Sequence, residues 1–206
     1  AFAARVASEV GVALACVRGR ERRAAIRAQA LKKLANVCLN GKPSGNEAKE
    51  AVLTEISKVL PGCRAYVGVL QSGGHALLYE AATPNSAMKG RELRRGEGIG
   101  LSCLDDPDGE IRDESHDVDE DIRASDHSSK AWPWPFVCAP LRSAGNRVGV
   151  LGVDGWSDVE LGRPDEVHPE KAVVKFIHEA ANLLAGALYT ERRNRGLSAM
   201  GKTLRE

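Results

Sequence analysis

The stretch FVCAPLRSAGNRVGVLGVD, residues 136–154, decides the fold. It reads as two buried strands joined by a tight turn. Phe136, Val137, Cys138, Ala139, Pro140 and Leu141 form one apolar run, and Val148, Gly149, Val150, Leu151, Gly152 and Val153 form the next. Continuous apolar runs of this length fit strands covered on both faces. The segment between them is polar, and its Gly145-Asn146 pair favours positive φ, the signature of a hairpin loop. Pro140 cannot donate a ladder hydrogen bond, which points to an edge, a bulge or an outward-facing nitrogen.

Working outward, a second hairpin precedes this one. Residues 63–70 and 75–82 read as strands, with Gly73-Gly74 in the turn between them. Upstream, apolar residues recur every three or four positions over 1–40 (Phe2, Val6, Val10, Leu14, Val17, then Ile26, Leu31, Leu34), which predicts a helix. Gly11 and Gly19 weaken it and mark candidate breaks. A second helix is expected over 46–60, capped by Ser44 or Asn46 and stopped by Pro61-Gly62. Downstream, Val173, Phe176, Ile177, Ala180, Leu184 and Leu188 share one face of a helix expected over 169–193, with Gly196 as its stop.

Residues 83–135 break this regularity. From Asp105 to Asp126 there are eleven acidic residues against Arg112 and Arg123. Hydrophobic periodicity is weak, with a short strand expected near 110–112 and a short helix near 118–124. A long irregular insertion in a compact domain points to function or disorder.

The order is helix, helix, hairpin, insertion, hairpin, helix. That is an α+β architecture, a central antiparallel sheet with helices on one face and long N- and C-terminal helices. We divide the chain into a helical extension (1–40), a domain (41–193) and a tail (194–206).

Composition narrows the function classes. The 206 residues are 43% hydrophobic and 28% charged, with a net charge of +1, so no global field calls for nucleic acid or a membrane surface. No apolar run reaches the ~18 residues of a membrane span. Five scattered cysteines without a CxxC pair argue against a disulfide framework or a zinc site and for a reducing, cytoplasmic setting. The chain opens on Ala1, which points to a fragment of a longer protein.

Several local strings together resemble the GAF domain family: Leu60-Pro61-Gly62-Cys63 entering the first strand, Arg95-Gly96-Glu97-Gly98-Ile99-Gly100 after the second, and Val137-Cys138-Ala139-Pro140-Leu141 followed by Val148-Gly149-Val150-Leu151-Gly152-Val153. The resemblance covers roughly residues 30–191. It implies a sheet of GAF/PAS-like type and a sensor or dimerisation role, with any small-molecule pocket between the sheet and the insertion. It does not fix the ligand or cofactor. The Asn-Lys of the cyclic-nucleotide class is replaced here by Asp154-Gly155-Trp156. Cys103 lacks the surroundings of a bilin attachment site. The free methionine sulfoxide reductase class needs several reactive cysteines in the insertion, where only Cys103 stands.

Within that frame the candidate ligand-binding residues are Tyr66, Glu80 and Asp154, at strand positions bordering the expected pocket, and Trp132 and Trp134, whose Trp-Pro-Trp-Pro run suits a pocket wall or a clamp closing the insertion. Strand alternation alone does not tell whether Glu80 and Asp154 face a ligand or solvent. No catalytic set is recognisable: no Ser-His-Asp or Cys-His pattern emerges, and the 96–100 glycines lack the Lys-Ser/Thr of a phosphate loop. The acidic loop does not match an EF-hand, since Leu104 and Ser115 would fall at two liganding positions. Weak divalent binding by Asp113, Asp117, Asp119 and Asp121 stays open beside a solvated acidic loop. His116 and His127, eleven apart, define no metal site.

The partners expected are a second copy of the chain, packed through the terminal helices, and a protein partner at the basic N-terminal helix. Arg18, Arg20, Arg22, Arg23 and Arg27 give that helix a calmodulin-target character. The alternative to a sensor is a ligand-free scaffold domain in a larger assembly, such as a cytoskeletal or ciliary one.

Overall fold

The computed structural model describes residues 2–41, 43–97, 99–106, 110–112, 136–156 and 171–203. Its centre is a six-stranded sheet. In chain order the strands are β1 (Arg64–Leu70), β2 (Ala76–Ala82), β3 (Glu92–Arg94), β4 (Glu110–Arg112), β5 (Phe136–Ser143) and β6 (Asn146–Asp154). They lie side by side as β3-β2-β1-β6-β5-β4, and every neighbouring pair is antiparallel. The helices are α1 (Phe2–Ala35), α2 (Gly45–Val59), α3 (Ile99–Cys103) and α4 (Lys171–Thr203), with a π-helical turn, Asn36–Asn40, extending α1.

The two hairpins stand where the sequence placed them, and β4 is the strand expected near 110–112. The turn between β5 and β6 is tighter than its polar span predicts. Ser143 pairs with Asn146, and the two residues between them, Ala144 and Gly145, have φ of 49° and 75°. Two successive positive φ values match the right-handed twist of the strands. The positive-φ pair is thus Ala144-Gly145, one residue earlier than the Gly-Asn pair. Among the described residues β4 pairs with 136–138 of β5, and Pro140 lies beyond that pairing, toward the edge where a missing donor is tolerated.

Helix boundaries also differ from expectation. Gly11 and Gly19 do not break α1, and Gly196 does not stop α4, which runs on to Thr203. A single glycine costs a helix only about 1 kcal/mol, and the flanking Arg and Leu residues are good helix formers. Ser44 caps α2 through a full capping box with Glu47. Hydrogen bonds from the Ser44 backbone and side chain hold the Glu47 carboxyl below its usual range. Residues 99–103 were unassigned in the sequence and form the short helix α3.

The last turns of α1, with α2 and α4, cover one face of the sheet. Leu34, Ile56, Phe176, Ile177 and Leu184 pack there against Val67, Val137, Leu151 and Val153. A separate cluster fills the opposite face. So the long helices share one face, as expected, while α3 lies on the other. Residues 14–29 of α1 are exposed or half-buried, and packing into the core begins at Ala30. Among the described residues no helix is long and apolar enough to cross a membrane. All five cysteines are free, and only Cys16 is exposed.

Candidate functional site

The face opposite the long helices is built from alternate strand positions. Tyr66 on β1, Leu77 and Tyr79 on β2, Phe136 and Cys138 on β5 and Val150 on β6 meet Met88, Ile99, Leu101, Cys103 and Leu104 from the covering segments. The Tyr66 and Tyr79 rings stand edge to face, with centroids 5.6 Å apart and planes at 72°, a favoured aromatic geometry. Glycines make room for them. A Cβ at Gly152 would overlap the Tyr66 ring, one at Gly68 would lie 3.0 Å from Tyr79 Cε1, and one at Gly100 would lie 2.7 Å from Leu77 Cδ1 and 2.9 Å from the Tyr79 hydroxyl. The thiol of Cys103 donates to the Cys138 carbonyl oxygen at 3.1 Å, tying α3 to β5.

One end of this apolar layer is polar. Asp154 closes β6 and is fully buried. Arg64 Nε donates to Asp154 Oδ1 at 2.6 Å, and the Tyr66 hydroxyl donates to Oδ2 at 3.3 Å. The register explains the meeting: Arg64 lies opposite Asp154 across β1 and β6, and Tyr66, two residues on, shares its face. Asp154 in turn lies opposite Phe136, and Phe136 opposite Arg112. Asp154 therefore stands one strand from Phe136 and two from Arg112, the residues that flank the segment 113–135. Burial pushes the Tyr66 phenol well above its ordinary pKa, and the Asp154 carboxylate adds to the shift while Arg64 opposes it. Burial, with smaller contributions from Cys138 and Cys103, raises Tyr79 in the same direction. Both phenols are neutral donors throughout the physiological range. The site can orient a polar group beside an apolar wall. On the other, helix side of the sheet, burial raises the Cys38 thiol and raises Cys63 to about 11, which keeps both as inert thiols.

The structure brings Tyr66 and Asp154 together and takes Glu80 elsewhere. On β2, Ala81 faces Val67 and Tyr79 faces Gly68, so Glu80 is the extra residue of a β-bulge. Alternating with Leu77 and Tyr79, its carboxylate lies on the helix side, where it pairs with Lys49 of α2. Trp132 and Trp134 lie outside the described residues, as do Asp113, Asp117, Asp119, Asp121, His116, His127 and the helix expected near 118–124. Among the described residues no group of three or more His, Cys, Asp or Glu side chains could hold a metal ion. Sequence reasoning missed Arg64 and Tyr79; the alternation of Leu77 and Tyr79 along β2 was the available signal. Trp156, just past Asp154, is buried on the helix side, and its Nε1 has no hydrogen-bond partner among the described residues.

No protein-family model and no curated protein matches the chain in sequence. Solved structures match it in shape. The GAF domain of a phosphoenolpyruvate-protein phosphotransferase from Coxiella burnetii superposes with a TM-score of 0.65 at 18% identity, over 83% of this chain and 96% of that one. The free methionine-R-sulfoxide reductase from Neisseria meningitidis, solved with its substrate, gives 0.63 at 11% identity, over 83% and 93%. A GAF sensor protein from Burkholderia vietnamiensis gives 0.62 at 12% identity, over 83% and 98%. At these identities the likeness speaks for the architecture: the chain has the GAF-type fold.

Proposed function

We propose that this chain is a non-catalytic sensor or regulatory domain of a larger protein, taking a small molecule between the sheet and residues 83–135. The observation that carries this reading is the Arg64–Asp154–Tyr66 group, with Asp154 and Tyr66 buried, at the polar end of an apolar face and at the end of the sheet where Arg112 and Phe136 flank the segment 113–135. Fixed charge and hydrogen-bond donors next to aromatic walls are what orients a small ligand. Tyr66 and Asp154 are the contact residues on the sheet, and Trp132 and Trp134 supply the wall on the covering side. Ligand binding orders the covering segment and is passed through the sheet to α4.

The terminal helices pair with those of a second copy. Leu14 and Val17 on α1 and Leu197 on α4 are more than half exposed, and burying them is favourable by roughly 1.5–3 kcal/mol each.

A thermal-shift panel of cyclic nucleotides, amino acids, haem and calcium tests the sensor reading. At least one compound should raise the melting temperature of the wild type and lose most of that effect in Tyr66→Phe and Asp154→Asn. A flat panel, together with a crystal structure whose sheet–insertion space is filled by side chains, would refute it. Light scattering against concentration tests the pairing of helices, which a strict monomer at high concentration rules out.

A further inference from the structure

The helix side of the sheet carries a cleft of about 580 Å³ at the end where β1 turns into β2. That volume lies within the range of small-molecule sites. It is separated by the sheet from the Tyr66–Asp154 group, and nothing in the proposed sensor reading uses it. Its floor is Val69, Leu70 and Leu188, and its walls are polar. Lys49 of α2 and Glu80 of β2 stand on one side, and Glu191, Arg192 and Arg195 of α4 on the other. Asn46, Gln71 and Ser72 complete the rim.

The charges are arranged and not merely collected. Lys49 is 3% exposed and pairs with Glu80. Arg195 Nη2 bonds Glu191 Oε1 at 2.6 Å. The Glu191 carboxylate also rests against Gly45, where a Cβ would overlap it. Both carboxylates are thus engaged. Arg192 donates one Nη2–H to the Leu70 carbonyl oxygen at 2.7 Å. A guanidinium has five N–H donors, so Arg192 keeps most of its capacity for another acceptor. Three cations against two carboxylates leave one positive charge over, on walls formed by separate elements.

We propose that this cleft is a second ligand site, one that takes a small polar organic monoanion, a carboxylate carrying hydroxyl or amide substituents. The carboxylate is received by Arg192 and Arg195 through charge-assisted hydrogen bonds, with Lys49 supplying field from the facing wall. The substituents hydrogen-bond Asn46, Gln71 and Ser72. Because the two walls belong to α2 with the sheet and to α4, the bound anion ties the C-terminal half of α4 to the β1–β2 turn.

The test is a two-dimensional amide NMR titration of the whole chain with N-acetylglycinate at constant ionic strength. The neutral N-acetylglycinamide and inorganic phosphate serve as comparisons. Saturable shifts are expected at Asn46, Lys49, Gln71, Ser72 and residues 191–195, with the neutral amide at least tenfold weaker, since one charge-assisted hydrogen bond is worth about that factor. Arg195→Ala, at an exposed position that leaves the core untouched, and Arg192→Gln should each weaken binding about tenfold. Glu191→Gln should strengthen it by releasing Arg195 and removing a competing acceptor, a gain that a merely structural role does not produce. Non-saturating shifts, equal response to the neutral amide, preference for phosphate over the carboxylate, or binding indifferent to the Arg192 and Arg195 variants would each overturn the proposal.

Discussion

The ring of Tyr66 on β1 covers Gly152 on β6, its partner across the sheet, so closely that no side chain fits between them. Gly152→Ala must therefore displace the Tyr66 ring or push the two strands apart. Overpacking of this kind costs about 1–3 kcal/mol. Urea denaturation should show that loss, and a weakened Tyr66–Asp154 hydrogen bond should appear as a changed tyrosine fluorescence or NMR signature. An unchanged midpoint would mean that the layer above β6 is loosely packed.

Asp154→Asn removes the charge that holds Arg64 and accepts from Tyr66. Breaking a buried ion pair by deleting one partner costs about 3–5 kcal/mol. The Arg64 side chain is 18% exposed, so water partly compensates and the lower end of that range is expected. The double variant Arg64→Met, Asp154→Asn should recover part of the loss, because no uncompensated charge is left behind. Denaturation of both single variants, Arg64→Met and Asp154→Asn, beside the double variant checks the coupling, and strict additivity would contradict it.

Ala144 is the one non-glycine residue with positive φ among the described residues. Left-handed backbone costs an alanine roughly 1 kcal/mol, which asparagine and glycine largely avoid. Ala144→Asn creates the Asn-Gly pair that two-residue hairpin turns prefer. A stabilisation of about 0.5–1 kcal/mol should follow, read as a raised denaturation midpoint. Destabilisation would show that the turn has another shape.

The pH profile should bend downward on the alkaline side. Burial raises the Cys63 thiol from an ordinary value near 9 to about 11, with Ser57 partly offsetting the shift and Asp154 adding to it. Between those values the unfolded chain loses a proton that the folded chain keeps. Stability is then fully present below pH 9 and falls as pH rises toward 11. Tyr66 and Tyr79, both raised, extend the decline above pH 10. Melting temperatures measured from pH 7 to 11 should fall in this window, and Cys63→Ala should flatten the portion between 9 and 10. A level profile in the wild type would contradict the burial of these three groups.

The sheet was legible because its strands state their period plainly. Val137, Ala139 and Leu141 face one side and Phe136 and Cys138 the other, and an apolar run bounded by polar turns needs no tertiary information to be seen. Glu80 was not legible in the same way. Alternation puts it on the face opposite Leu77 and Tyr79, but which face meets the helices is known only once β1 and α2 are placed, and the bulge that brings Ala81 to the same face leaves no mark in the pattern of a single strand. The segment α3 escaped because five residues with a glycine in their midst are too short for helical periodicity to show. The continuity of α1 across Gly11 and Gly19 and the end of α4 were misjudged because glycine is a local penalty, and long flanks of helix-forming residues outweigh it. The pairing of Tyr66 with Asp154 depended on register, which the hydrophobic pattern constrains only once both strands are placed.

The length of α1 gives the domain a mechanical property. At 1.5 Å per residue its 34 residues make a rod about 50 Å long, and among the described side chains packing into the core begins at Ala30. Residues 14–29 alone reach on the order of 24 Å beyond that point. A tilt of about 5° at Ala30 moves the backbone at Leu14 by about 2 Å, more than the rise of one helical residue. The helix thus works as a lever, and a small rotation at its packed end becomes a larger displacement along its length.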